Sequence, residues 1–186
     1  MMRGMSLTEA INQLIGNGAD RCKGRQMPCH YTFKEGHYYG MSSVIGTQIS
    51  HAIGAAMAAR LRGDDVVVLG YLGDGATSEG EFWESLNTAC TQPVPVLYLV
   101  EDNGYAISVP VDAQTPGGSI SKLVESFPNL KVLRCDGTDY LDSYRTLEEA
   151  VAWVRRERKP ALVHAVVTRP YSHSLSDDES LYRPAA

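Results

Sequence analysis

The first pattern along the chain is a set of short apolar runs that do not alternate with polar residues. Val66-Val67-Val68-Leu69-Gly70-Tyr71-Leu72 is the first. An unbroken run of this kind marks a strand buried on both faces. Residues 94–100 predict a second such strand, 131–135 a shorter third and 161–167 a fourth. Between them the apolar spacing changes to three or four. Leu7, Ala10, Ile11, Leu14 and Ile15 share one face of a helix over 6–16, which opens with Ser6-Leu7-Thr8-Glu9 in capping-box form. Residues 47–61 predict a helix rich in small side chains, among them Gly54, Ala55, Ala56, Ala58 and Ala59. Further helices are expected over 79–91, briefly near 119–127, and over 139–158, where Leu141, Tyr144, Leu147, Val151 and Val154 form an apolar stripe. The stretch 20–43 holds Gly24, Pro28, Gly36 and Gly40 without a steady period and reads as loop. Loops of that length in compact domains are usually functional or disordered.

Strands alternating with helices predict an α/β fold: a mainly parallel sheet with helices on both faces. We expect a single domain over 1–186, with 168–186 as a polar loop and tail. A length of 186 residues suits one domain, and 44% hydrophobic with 21% charged residues excludes a disordered chain. The net charge of -5 argues against a dedicated nucleic-acid or anionic-membrane binder. No apolar run approaches the roughly 20 residues that cross a bilayer. The start, Met1-Met2-Arg3-Gly4, has no apolar core behind it, so a cytoplasmic protein is expected. Cys22, Cys29, Cys90 and Cys135 form no C-x-x-C pair and read as reduced thiols.

In open parallel sheets ligands bind beyond the carboxyl ends of the strands. Two turns fall there, Gly73-Asp74-Gly75 and Asp102-Asn103-Gly104. The dinucleotide fingerprint is incomplete, because Ser78 stands where its third glycine belongs, and no P-loop, G-x-S-x-G or H-E-x-x-H motif exists. What remains can make a magnesium–diphosphate site. Asp74 offers a carboxylate oxygen and Asn103 an amide oxygen, both hard donors of the kind Mg²⁺ takes together with phosphate and water. Gly75 lets the backbone approach a phosphate, and the N-terminus of the helix that follows favours negative charge. A G-D-G turn by itself is equally an ordinary turn.

The spacing of Gly73-Asp74-Gly75 from Asp102-Asn103 is that of the thiamine-diphosphate motif. The longer string Gly73-Asp74-Gly75-Ala76-Thr77-Ser78-Glu79-Gly80-Glu81, with Asp102-Asn103-Gly104-Tyr105-Ala106-Ile107-Ser108, resembles the α subunit of the decarboxylating component of 2-oxo acid dehydrogenases. Lys23-Gly24-Arg25-Gln26-Met27-Pro28, Gly46-Thr47-Gln48-Ile49 and His173-Ser174-Leu175-Ser176-Asp177-Asp178 agree with it, in order, from about residue 20 to 185. The resemblance implies a thiamine-diphosphate-binding fold, with thiamine diphosphate and Mg²⁺ as cofactors. It implies that Asp74 and Asn103 bind Mg²⁺ by side chains and Tyr105 by its carbonyl. Gly75 and Ala76 would line the diphosphate, and Ser43 and Ile45 would approach the aminopyrimidine. His173 would sit over the thiazolium as the catalytic proton shuttle, with Arg169 orienting its loop.

The activity so implied is oxidative decarboxylation of a 2-oxo acid and acyl transfer to lipoamide of a partner acyltransferase. It would require a β subunit, in a heterotetramer of two α and two β chains. Gly24-Arg25-Gln26-Met27-Pro28 and Ser176-Asp177-Asp178 look most like branched-chain members. Members also carry an N-terminal segment with a Tyr-Arg pair, so the chain reads as a short or partial α subunit. Two other readings stay open here: half of a split transketolase-type enzyme, suggested by Glu79-Gly80-Glu81-Phe82-Trp83-Glu84, and a non-catalytic assembly fragment.

Overall fold

The computed structural model describes residues 3–40 and 42–183, which divide into two compact units, Met1–Ile45 and Gly46–Ala186. The first unit carries α1, Leu7–Leu14. Its Ser6 and Glu9 cap each other reciprocally, as the sequence predicts. Beyond α1 the unit is mostly turns, with one 3₁₀ turn at Lys34–Gly36 and a Phe33–Tyr38 bridge. Arg21 joins them by pairing with both Glu9 and Glu35 at 2.6 Å.

The second unit is built on four strands: β1 (Val68–Gly73), β2 (Val96–Asp102), β5 (Lys131–Asp136) and β6 (Ala161–Val166). They lie in the order β1-β2-β6-β5, and every pairing is parallel. This is the α/β architecture that the unalternating apolar runs predict. Val96, Tyr98 and Val100 of β2 point to one face with Leu162 of β6. There they pack against α2 (Thr47–Arg62), α3 (Gly80–Thr91) and α5 (Ile120–Val124). Leu97, Ala161, Val163 and Ala165 point to the other face, under Ala150 and Val154 of α6 (Tyr140–Glu157). Period two along the strands thus feeds two cores, and both require apolar residues.

Ala52, Ala56 and Ala59 of α2 are buried, whereas Gly54 and Ala58 face solvent. A Cβ on Gly70 of β1 would lie 3.3 Å from the Ile49 side chain and 3.4 Å from that of Ala52, so helix and strand approach closely there. Phe82 of α3 is fully buried, edge-on to Trp83 and Tyr98 with ring centroids 5.2 and 6.3 Å apart.

Three details depart from the sequence expectation. The first two strands begin two residues later than the apolar runs. Pro95 has no N–H to give the ladder, so β2 starts at Val96, and Val68 is the first residue of β1 to bond across, to the Pro95 carbonyl at 2.9 Å. The helix expected over 79–91 is α3, Gly80–Thr91 with Glu79 as its N-cap, but the interval before it holds a 3₁₀ turn, Gly75–Ser78, where no element is expected. A two-stranded hairpin, β3 (Tyr105–Ala106) with β4 (Val109–Pro110), and the short α4 (Val111–Gln114) follow β2 where only loop is expected. Among the described residues no helix is long and apolar enough to cross a membrane.

Candidate functional site

The parallel register Gly73↔Glu101 sets the ends of β1 and β2 side by side, so Asp74 and Asp102-Asn103 leave the sheet together. Asp74 is only 3% exposed. Its carboxylate accepts the backbone N–H of Asn103, yet its Oδ2 is buried and has no hydrogen-bond partner. Its backbone is fixed independently. The Asp74 carbonyl accepts the Thr77 hydroxyl at 2.7 Å, the Thr77 N–H at 3.0 Å and the Gln114 side-chain amide at 2.7 Å. Burial, and then the negative charge of Asp102, push the Asp74 carboxyl above its usual range; the Asn103 N–H and the Arg169 charge oppose this. A rigid carboxylate that is buried, crowded by a second carboxylate and short of one partner is what a bound cation relieves.

Asn103 brings the second oxygen. Its Oδ1 accepts the Tyr105 N–H at 3.2 Å, which assigns the amide orientation and leaves that oxygen a second lone pair. Gly75 lies against the hairpin: a Cβ there would stand 2.9 Å from that of Ala106. The buried Ala76 follows in the 3₁₀ turn. Asp74, Asn103, Tyr105, Gly75 and Ala76 therefore form one cluster at the carboxyl edge of the sheet. Its donors are hard oxygens suited to Mg²⁺. Among the described residues no three His, Cys, Asp or Glu side chains gather as a metal site.

Arg169, just past β6, braces the hairpin. Its two terminal nitrogens donate to the Ile107 carbonyl at 3.1 Å, and one also donates to the Tyr182 hydroxyl at 2.7 Å. Ile107 has φ 58, a left-handed conformation that strains a β-branched residue, and these bonds help to hold it. Tyr182 donates in turn to Asp177 at 2.5 Å, and the same Asp177 oxygen accepts the His173 backbone N–H at 2.7 Å. Those two bonds hold the Asp177 carboxyl below its usual range. The tail is thus tied to the hairpin, and the His173 ring is exposed.

Ser43 and Ile45 belong to the first unit. The Ser43 hydroxyl lies 2.9 Å from His30 Nε2 and 3.3 Å from the Met27 sulfur, and Ile45 is exposed. Sequence reasoning passed over Gln114, which clamps Asp74, and His164, which sits 1% exposed inside the apolar run of β6. A lone imidazole in an otherwise apolar buried strand is a signal in itself, because it demands a partner.

Compared with known proteins, residues 1–186 match the Dehydrogenase E1 component family. The chain is 38% identical over 185 residues to the mitochondrial 2-oxoisovalerate dehydrogenase subunit alpha 2 of Arabidopsis thaliana, covering 100% of this chain and 39% of that protein. It is 39% identical over 183 residues to the mitochondrial 2-oxoisovalerate dehydrogenase subunit alpha of Homo sapiens, 98% of this chain and 41% of that one. The Caenorhabditis elegans subunit alpha is 37% identical over 184 residues, 98% of this chain and 42% of that one. The chain spans about two fifths of the length of these curated relatives. The family match also takes in α1, ahead of the point near residue 20 where the resemblance in the sequence begins. The expectation of a cytoplasmic protein is overturned, since these relatives are named mitochondrial. An apolar leader is not what addresses a protein to that compartment, whose targeting segments are amphipathic and arginine-rich.

Proposed function

The chain belongs to the dehydrogenase E1 component family, and we propose that it is the diphosphate-gripping portion of a branched-chain 2-oxo acid dehydrogenase α subunit. The reaction so assigned is oxidative decarboxylation of a branched 2-oxo acid with acyl transfer to lipoamide. The observation that supports it best is the unpartnered, buried Asp74 oxygen beside Asn103 at the ends of two adjacent parallel strands. The relatives named as 2-oxoisovalerate dehydrogenase α subunits support the branched-chain substrate class.

Thiamine diphosphate, when bound, supplies the nucleophilic carbon and the electron sink for decarboxylation. This chain's residues do the holding. Asp74 and Asn103 give Mg²⁺ a side-chain oxygen each and Tyr105 its carbonyl. Gly75 and Ala76 present backbone to the diphosphate without side-chain bulk. Ser43 and Ile45, in the first unit, are the residues that the family resemblance assigns to the aminopyrimidine. His173, on a loop pinned through Asp177 and Tyr182, holds or releases a proton at its exposed imidazole nitrogens. Arg169 fixes both the hairpin and that loop. A β subunit completes the site, in a heterotetramer of two α and two β chains, and a lipoyl acyltransferase receives the acyl group.

The test is turnover by the full-length protein with its β subunit. Branched 2-oxo acids should be decarboxylated in preference to pyruvate, with acyl transfer to lipoamide. His173→Ala should fold normally and lower that transfer by about 100-fold or more, the usual scale of general acid–base loss. Undiminished transfer removes His173 from the mechanism, and preference for pyruvate removes the branched-chain assignment.

A further inference from the structure

Four polar side chains sit in the second unit at the carboxyl end of an otherwise apolar core face. Asp102 continues the buried row Val96, Tyr98, Val100 on β2, and His164 continues Leu162 on β6. Ser121 on α5 and Ser119, just ahead of it, complete the group. All four are buried. A protein interior accepts such groups only when they satisfy one another, and here they do so in a single line. The Ser119 and Ser121 hydroxyls are 3.2 Å apart, and Ser121 Oγ lies 2.9 Å from His164 Nδ1. His164 Nε2 lies 2.8 Å from Asp102 Oδ2. Asp102 Oδ1 accepts the Gly104 N–H at 2.8 Å.

The direction of the line follows from chemistry. Asp102 Oδ1 is already committed to the Gly104 N–H, and a carboxylate accepts from a ring N–H, so His164 Nε2 donates to Oδ2 and Nδ1 is left to accept from Ser121. Both Asp102 oxygens are then occupied. One is held by β6 through His164, and the other holds the turn that carries Asn103. The line therefore runs from α5, through the imidazole, to the residue between the strand and the cluster of Asp74 and Asn103. A planar ring with donors and acceptors on opposite edges spans that gap where an aliphatic side chain would leave Asp102 half-satisfied in the core.

We propose that His164 is a positioning residue of the cation–diphosphate site: through Asp102 it sets the Asp102–Tyr105 turn so that Asn103 meets the unpartnered oxygen of Asp74. This rests on the Asp74–Asn103 site proposed above. Groups that hydrogen-bond a metal ligand commonly govern metal affinity by about 10- to 100-fold without touching the ion, and His164 acts one bond further out, through Asp102.

The experiment uses the full-length protein with its co-purified partner and Mn²⁺ in place of Mg²⁺. Free Mn²⁺ is followed by electron paramagnetic resonance at saturating thiamine diphosphate, and thermal unfolding of each metal-free variant is recorded alongside. His164→Leu should weaken Mn²⁺ binding by about 10- to 100-fold. His164→Gln, whose amide can still donate to Asp102, should recover most of that loss. Ser121→Ala should give a smaller loss in the same direction, and it carries the test together with His164→Gln if His164→Leu does not fold. A lowered Tm with unchanged Mn²⁺ affinity in His164→Leu overturns the proposal, as does unchanged affinity in Ser121→Ala when that variant carries the test. Asp74→Ala separates the two levels. If it loses Mn²⁺ while His164→Leu keeps it, the positioning role alone falls. If Asp74→Ala binds Mn²⁺ as the unsubstituted protein does, the site and the positioning role fall together.

Discussion

Asp74 shows what a single residue costs the fold at this site. It is buried, lies beside a second carboxylate, and keeps one oxygen without a partner. Its folded pKa is raised, so the native state holds this proton more firmly than the unfolded chain does. The contribution to stability is therefore complete below the ordinary carboxylate value of about 4 and is lost as pH rises through the folded value. Asp74→Asn keeps an acceptor for the Asn103 N–H and removes the charge. Without metal at neutral pH the variant should melt about 2–4 °C higher, the shift expected from about 1 kcal/mol in a chain of this size. The decline in stability with pH just above the ordinary carboxylate range should flatten. A lower Tm at neutral pH would contradict this reading of Asp74. Asp74, Gly75 and Asn103 were legible because a G-D-G and a D-N-G each follow a buried apolar run, and Ala76 and Tyr105 only through the family resemblance. Gln114 and His164 were not, because what they touch is decided by packing between elements far apart in the chain: Asp74 for one, Asp102 and Ser121 for the other.

At the scale of elements, the four strands and the longer helices could be read from period alone, since burial on both faces or one stripe dictates the pattern. The β3–β4 hairpin could not, because two residues per strand are too few to show alternation. Neither could the 3₁₀ turn that separates Asp74 from α3, because nothing in Gly75-Ala76-Thr77-Ser78 distinguishes it from a first helical turn. Yet the hairpin and the turn shape the site, since Gly75 backs onto Ala106 with no room for a Cβ. Gly75→Ala should push the two apart, lowering stability by about 1–3 kcal/mol, the usual cost of overpacking, and weakening thiamine diphosphate binding. Denaturant unfolding and a binding titration check both, and an unshifted unfolding midpoint would show that the hairpin yields freely. Arg169 ties this hairpin to the tail, so the two should loosen together.

For the whole molecule, the second unit builds one coherent edge: two parallel strand ends, a hairpin across them and a tail braced to the hairpin. The chain corresponds to about two fifths of its curated relatives, so its cofactor grip is best tested in the assembled protein. Fold class and family were legible here because both live in local patterns and motif spacing. Compartment was not, because the buried pattern of a folded domain carries no address. The central claim is that Asp74 anchors thiamine diphosphate through a divalent cation. Calorimetric titration of thiamine diphosphate with Mg²⁺ into the full-length protein and its co-purified partner, beside Asp74→Ala, tests it most directly. Saturable, Mg²⁺-dependent binding that disappears in Asp74→Ala is the predicted result. Equal binding by the variant, or no binding by either folded and associated protein, would contradict it.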